Sequence, residues 1–239
     1  MKLKTMLRGG AVAAVCLTGV GLAVGLPARA AEPPAQRLPA PAVEAPAATG
    51  QQVAVFSGGC FWGVQGVFEH VAGVTRAVAG YAGGAAGTAQ YETVSTGDTG
   101  HAESVQVTFD PARISYGKLL QIFFSVALDP TEVNRQGPDS GTQYRSEVFT
   151  TTPGQASAAR AYIAQLDQAH VFHAPIATRV DTLPAFYTAE GYHQDYLAHN
   201  PDAPYIAMND MPKVANLQHL FPEAWQAIPV LALPHGSAT

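Results

Sequence analysis

The sequence predicts an α+β domain. Three observations lead there: short apolar or alternating runs that suit strands, longer runs of helical period, and their order, β-α-β, β-α-β, then α-β. Val53-Ala54-Val55-Phe56 is a continuous apolar run closed by Ser57-Gly58-Gly59, the pattern of a buried strand. A helix should follow from Phe61 to His70, with Trp62, Gln65, Val67 and Phe68 along it. Val74 to Tyr81 reads as a second strand, and Gly83 to Gly100 as a loop rich in Gly and Thr. Glu103 to Phe109 alternates with period 2, as a half-buried strand does, and stops at Asp110-Pro111. Ser115 is placed to cap a helix whose apolar side holds Leu119, Leu120, Ile122, Phe123 and Val126. Beyond a polar loop, a strand is expected near Arg145 to Thr150, a helix from Pro153 to about Ala169, and a strand from Ile176 to Val180. The first six elements match the split β-α-β order of a ferredoxin-like plait, with helices on one sheet face. After Phe186 the chain is dense in Tyr, His, Asn and Pro. A short helix near Glu190 to Ala198, then a coil-rich C-terminal extension, is expected there.

The ends of the chain have their own character. Lys2, Lys4 and Arg8 precede an apolar stretch from Ala11 to Leu26, and Ala28-Arg29-Ala30 has the small-x-small form of a cleavage site. Residues 1–30 therefore read as a cleaved signal peptide, with an uncleaved membrane anchor as the alternative, and the protein as exported and periplasmic. Residues 31–52 are Ala/Pro-rich and lack apolar periodicity, which predicts an extended, disordered linker. The domain should occupy residues 53–228, followed by a tail over 229–239. Loss of the first thirty residues removes four of the 13 basic side chains and none of the 18 acidic ones, leaving a net charge of −9. An acidic domain without a Lys/Arg run is a poor partner for nucleic acid or an anionic membrane. Cys16 would leave with the signal, so Cys60 would be the one cysteine of the exported protein, with no internal disulfide.

Cys60 sits where a strand passes through Gly58-Gly59 into a helix. That junction aims backbone N–H groups and the positive end of a helix dipole at the sulfur, while Phe61 and Trp62 place two apolar faces beside it. A buried structural thiol is the commoner fate of a lone cysteine, but Gly-Gly-Cys-Phe-Trp-Gly is an unusual way to bury one. Glu103 opens a strand from a glycine-rich loop, a position where a carboxylate is ordinarily solvated. Asp139 and Tyr144 lie in the polar loop from Asn134 to Tyr144, by itself merely a loop.

Taken together, seven segments resemble the A-type peptide methionine sulfoxide reductases. They are Gly59-Cys60-Phe61-Trp62-Gly63, Gly80-Tyr81-Ala82-Gly83-Gly84, Tyr91-Glu92, Gly97 to Glu103, Asp110-Pro111, Gly141 to Ser146, and Tyr192-His193-Gln194-Asp195-Tyr196-Leu197. The likeness spans about Val53 to Trp225 and marks residues 53–228 as a catalytic domain. It implies that Cys60 attacks the sulfoxide sulfur, that Glu103 protonates the oxygen, and that Tyr91 and Tyr144 hydrogen-bond it. It further implies that Phe61 and Trp62 cage the S-methyl group and that Asp139 positions substrate through its backbone amide. The substrate would be the S epimer of free or peptide-bound methionine sulfoxide; no metal or bound cofactor would take part. Many members carry further cysteines near the C-terminus that resolve the sulfenic acid, yet Tyr205 to Thr239 has none. The resemblance therefore implies an external thiol reductant, a thioredoxin-like protein or a small thiol, acting on a monomer.

Two rivals are weighed against this. A cysteine hydrolase would use His193 and Asn200 with Cys60, but the domain is short for two lobes. An exported thioether-binding module would use the aromatic pocket and leave Glu103 and the thiol idle. The spacings His170/His173 and His193/His199 suit metal ligands only weakly, without a second cysteine or a carboxylate cluster.

Overall fold

A computed structural model describes residues 35–46 and 49–233. The segment read as a signal peptide, Cys16 and the last six residues lie outside the described residues. The strands are β1 (Gln52–Gly58), β2 (Val74–Ala82), β3 (Ala102–Phe109), β4 (Arg135–Gln136), β5 (Asp139–Ser140), β6 (Ser146–Thr150), β7 (Arg179–Thr182) and β8 (Phe186–Thr188). The α-helices are α1 (Phe61–Glu69), α2 (Tyr91–Val94), α3 (Tyr116–Ile122), α4 (Pro153–Gln168), α5 (Tyr196–His199) and α6 (Met211–Leu220).

Six strands form one sheet in the order β7-β6-β1-β3-β2-β8, and β4 and β5 make a separate small hairpin. Every pairing in the large sheet is antiparallel except β6 with β7. Glu103 lies on β3, opposite Tyr81 of β2, near the end of a strand with neighbours on both edges. The sheet's helical side is closed by aromatic stacking: Phe56 of β1 lies 5.0 Å from Phe68 of α1 and 4.9 Å from Phe123. The opposite face holds a smaller cluster of Val55, Ala82, Ala102 and Phe149. The mixed α+β class is as expected, and the helix starts follow local chemistry. Ser115 accepts from the Lys118 N–H at 3.0 Å, and Pro153 opens α4, where its missing N–H costs nothing.

Four expectations need correction. β3 was expected to be half-buried by alternation, but Ala102 to Val105 are buried on both faces, because Phe149 with Leu183 and Phe186 packs against Ala102 on the outer side. The strand expected from Ile176, β7, starts at Arg179: the Ile176 N–H is held by Asp167 at 3.0 Å and that of Ala177 by the Pro130 carbonyl at 2.8 Å, which leaves neither free for the sheet edge. The C-terminal region is not mostly coil. After α5 a π turn over Ile206–Asp210 leads into α6, which buries Val214 and Leu217 one turn apart, and Pro212 is harmless in its first turn.

The Ala/Pro stretch is extended but not a free tether between residues 35 and 46. Leu38 is 2 % exposed, its N–H donates to Ser125 at 3.1 Å, and its carbonyl accepts from Gln121 at 2.6 Å. Tyr162 donates to the Pro39 carbonyl at 2.7 Å, and Gln165 to that of Ala40 at 2.9 Å. Prolines leave the carbonyls of an extended chain free to be read by side chains from α3 and α4, so low hydrophobicity did not prevent docking. The start of the tail is also held, since Asp195 accepts from the N–H groups of Ala232 and Leu233 at 2.7 and 3.0 Å. Replacing Leu38 by Ala should therefore destabilise the domain by about 2–5 kcal/mol, as buried Leu→Ala changes do. Urea unfolding measures this, and an unchanged midpoint would mean the segment is not part of the core.

Candidate active site

Cys60 occupies the N-cap position of α1, between β1 and the first helical turn. Gly59 before it has φ +87°, and a Cβ there would lie 2.5 Å from Cβ of Gln136, so the turn demands glycine on both counts. Gln136 is itself pinned, its amide bonded to both the N–H and the carbonyl of Asp129 at 2.9 and 2.6 Å. Cys60 is 8 % exposed. Burial, with the nearby Glu103 and Asp210 carboxylates, pushes the thiol well above its ordinary value, while the Trp62 N–H and the Lys213 ammonium pull the other way. The helix start does aim an N–H at the sulfur, as the sequence implies. Desolvation outweighs it, and the resting group is a thiol.

Glu103 is 3 % exposed and accepts from the Phe61 N–H at 3.0 Å. The same backbone turn thus carries the sulfur and grips the carboxyl. Burial raises the Glu103 carboxyl to about 8, against the lowering effect of that N–H bond and with Asp139 and Asp210 adding to the rise. It holds a proton at neutral pH. The solvated carboxylate that its strand-start position would suggest is not what the fold produces.

Two phenols named from the sequence gather at the same place. Tyr91 opens α2, its N–H bonded to Glu190 at 3.0 Å, and Tyr144 ends a 3-10 turn over Thr142–Tyr144. Burial first, then the Glu103 charge, raises both hydroxyls, and both also sense Cys60. They remain hydrogen-bond donors. Trp62 stacks on Tyr196 with centroids 4.1 Å apart, meets Tyr205 edge-on at 6.0 Å, and donates its indole N–H to His193 Nδ1 at 3.2 Å. Phe61 is nearly fully buried beneath, 5.9 Å from Tyr81 and 5.0 Å from His193. Asp139, on β5, takes a short hydrogen bond from the Tyr205 hydroxyl through its side chain.

The fold thus brings Cys60, Glu103, Tyr91, Tyr144, Phe61, Trp62 and Asp139 to one end of the sheet. It adds residues that the sequence did not single out for this site: Tyr205, Asp210, Lys213, Gln136 and Glu190. The first three come from the segment expected to be coil, where no local pattern marks them. His193, weighed earlier as a hydrolase base or metal ligand, is committed to the Trp62 indole, and burial lowers its basicity. Among the described residues, no group of three His, Cys, Asp or Glu is arranged to hold a metal ion.

A buried thiol, a proton-bearing carboxyl, two phenols and an aromatic wall suit a substrate with a polar oxygen on an apolar sulfur. The family model described as peptide methionine sulfoxide reductase matches residues 52–225. The chain belongs to that family. It is 59% identical over 187 residues to a peptide methionine sulfoxide reductase MsrA 2 of Mesorhizobium japonicum, covering 78% of this chain and 96% of the relative. A second relative of that name, from Synechocystis, is 46% identical over 212 residues, 87% of this chain and 99% of its own. Among solved structures, methionine sulfoxide reductase A of Corynebacterium diphtheriae is similar at 32% identity and TM-score 0.56, over 72% of this chain and 89% of that one. Reduced Mxr1 of Saccharomyces cerevisiae is similar at 32% and 0.57, over 64% and 87%. This reductase is therefore an oxidoreductase that reduces methionine sulfoxide, and the site above is where its chemistry is to be sought.

Because the carboxyl of Glu103 loses its proton near pH 8, the single-turnover rate should fall as pH rises above about 8. Glu103→Gln should remove that limb and slow the chemical step roughly 10²-fold or more at neutral pH. A stopped-flow pH profile of both proteins decides this; a loss confined to substrate affinity would make Glu103 a binding group. Trp62→Ala should narrow the preference for methyl over bulkier sulfoxides, read from kcat/KM ratios across a sulfoxide series. Burying one methyl is worth only about 1 kcal/mol, so misalignment should show mainly in kcat. An unchanged ratio would remove Trp62 from the wall that fits the methyl group.

Proposed function

We propose that the reductase works through Cys60 as nucleophile and Glu103 as general acid, on the S epimer of free or peptide-bound methionine sulfoxide. The observation that supports this most is the buried Glu103 carboxyl, protonated at neutral pH and bonded to the amide adjoining Cys60. Sulfoxide oxygen leaves poorly unless it gains a proton, so sulfur attack and oxygen protonation must be concerted. Glu103 gives its proton to the oxygen and takes the Cys60 thiol proton in return, so that the sulfur gains thiolate character as it bonds to the substrate sulfur. Collapse breaks both the new S–S bond and the substrate S–O bond as the hydroxyl passes to the Cys60 sulfur, leaving a Cys60 sulfenic acid and methionine. Tyr91 and Tyr144 donate hydrogen bonds to the oxygen, Trp62 over a floor of Phe61 flanks the methyl group, and Asp139 helps position substrate. The hydrolase reading has lost its base to Trp62, and the binding-module reading leaves the buried acid without a task.

Regeneration in this reading needs a thiol from outside. Cys60 is the free cysteine among the described residues, and with the signal removed no second cysteine remains. An external thiol, from a thioredoxin-like protein or a small molecule, condenses with the sulfenic acid to a mixed disulfide and releases water. A second thiol then exchanges with that disulfide, returning Cys60. The catalytic domain acts as a periplasmic monomer after loss of residues 1–30, and the β6-β1-β3-β2 order with α1 and α3 is the split β-α-β core of a ferredoxin-like plait.

Mass spectrometry after one turnover of the exported chain, without reductant, should show one added oxygen on Cys60 and one methionine per chain. Cys60→Ser should release none. An intramolecular disulfide would contradict loss of Cys16, and methionine release with Cys60 still a free thiol would sink the mechanism.

A further inference from the structure

The C-terminal segment puts an ion pair against the first turn of α1, one turn from the reactive sulfur. Asp210 ends the π turn and is 0 % exposed, and Lys213 stands one turn later on α6. Their side chains meet at 3.1 Å. The approach to α1 is close enough to require Gly63: a Cβ there would lie 2.1 Å from Asp210 Oδ1 and 3.1 Å from Lys213 Nζ. Gly63 is three residues beyond Cys60, so the pair reaches the helix end at which the sulfur sits. Among the described residues Asp210 Oδ2 is buried without a hydrogen-bond partner, an arrangement that costs stability.

Such a cost at a functional site calls for a use. Attack on the sulfoxide requires the sulfur to become anionic in a dry pocket, where the helix end offers a partial charge and the carboxyl and phenol neighbours offer none. We propose that Asp210 and Lys213 are a positioning pair for Cys60, in which the buried carboxylate anchors the ammonium so that its positive charge offsets the charge developing on sulfur. The pair deepens the mechanism above and rests on Cys60 being the nucleophile. The groups around the sulfur act in opposing directions. Glu103 and Asp210 disfavour its ionisation, and the Trp62 N–H and Lys213 favour it. Tyr91, Tyr144 and Tyr205 each sense the Cys60 charge in turn, and Asp139 acts on Glu103, Asp210 and all three phenols. Lys213 is the cation of this set, and Asp210 governs where it stands.

The test separates the pair's charge from its packing. Alkylation of Cys60 by iodoacetamide, followed against pH, reports ionisation of the thiol without any turnover. Lys213→Met should move the midpoint to higher pH, and Asp210→Asn, which keeps an oxygen for the ammonium but no charge, should move it lower. At neutral pH, Lys213→Met should slow single-turnover reduction about tenfold, the equivalent of one unit in thiol ionisation, with KM little changed. Lys213→Arg should restore most of that rate. Midpoints that stay put, or move in the same direction in folded proteins, would overturn the proposal. Should Asp210→Asn not fold, the Met-versus-Arg comparison at Lys213 still decides it: equal rates refute a charge role. Absence of alkylation-sensitive activity in the wild type would instead sink Cys60 as nucleophile, a distinct failure.

Discussion

The hydrogen bond from the Phe61 N–H to the Glu103 carboxyl ties the molecule's chemistry to its backbone. It links the first turn of α1 to the end of β3, and so pins the Glu103 side chain to the backbone turn that carries the sulfur. Its strength matters less than its surroundings. A carboxylate in that dry position, with further acids near it and no cation bonded to it, costs more than a carboxylic acid. The proton therefore stays on Glu103 near neutrality, and the Cys60 thiol is held by the same desolvation. Two groups that water would ionise or keep apart are both kept neutral and adjacent until a polar sulfoxide enters.

What makes the position dry is the sheet. β3 has paired neighbours on both edges, so a residue at its end is shielded laterally; the aromatic layer over α1 then closes the top. Gly59 permits the sharp entry into α1, and Gln136 packs where any larger residue would stand. The strand order thus produces the desolvation, and the desolvation produces the acid.

Closure also depends on chain far from the motif. Tyr205, Asp210 and Lys213 reach the site only because α6 packs back on α1, and that arrangement is held further along by Asp195, whose carboxylate takes two N–H groups of the tail. Asp195 adopts a left-handed backbone at φ +57°, which aspartate tolerates better than most residues. On the helical side, residues 35–46 perform a comparable service, since Leu38 enters the core with its backbone held by Ser125 and Gln121. Both ends of the described chain thus brace a domain whose reactive centre is assembled from the middle.

Local periods and caps were enough to place β1, α1, β2, β3, β6, α4 and the start of α3 within a residue or two, because those signals act over a few residues: Ser115 caps its own helix, and Pro153 starts its own. The seven-segment likeness, with Cys60, Glu103, Tyr91, Tyr144, Phe61, Trp62 and Asp139 in it, was equally legible, since spacing is written in the chain. Contacts over long separations were not. The shift of β7 to Arg179, the docking of Leu38 against Ser125, and the arrival of Asp210 beside Gly63 each depend on a partner tens of residues away, and no local pattern records it. Glu103 shows the division most clearly. Its identity as an acid is a property of the residue, but its proton at pH 7 comes from burial between strands and beneath aromatic rings, and only three-dimensional packing removes the water that would otherwise ionise it.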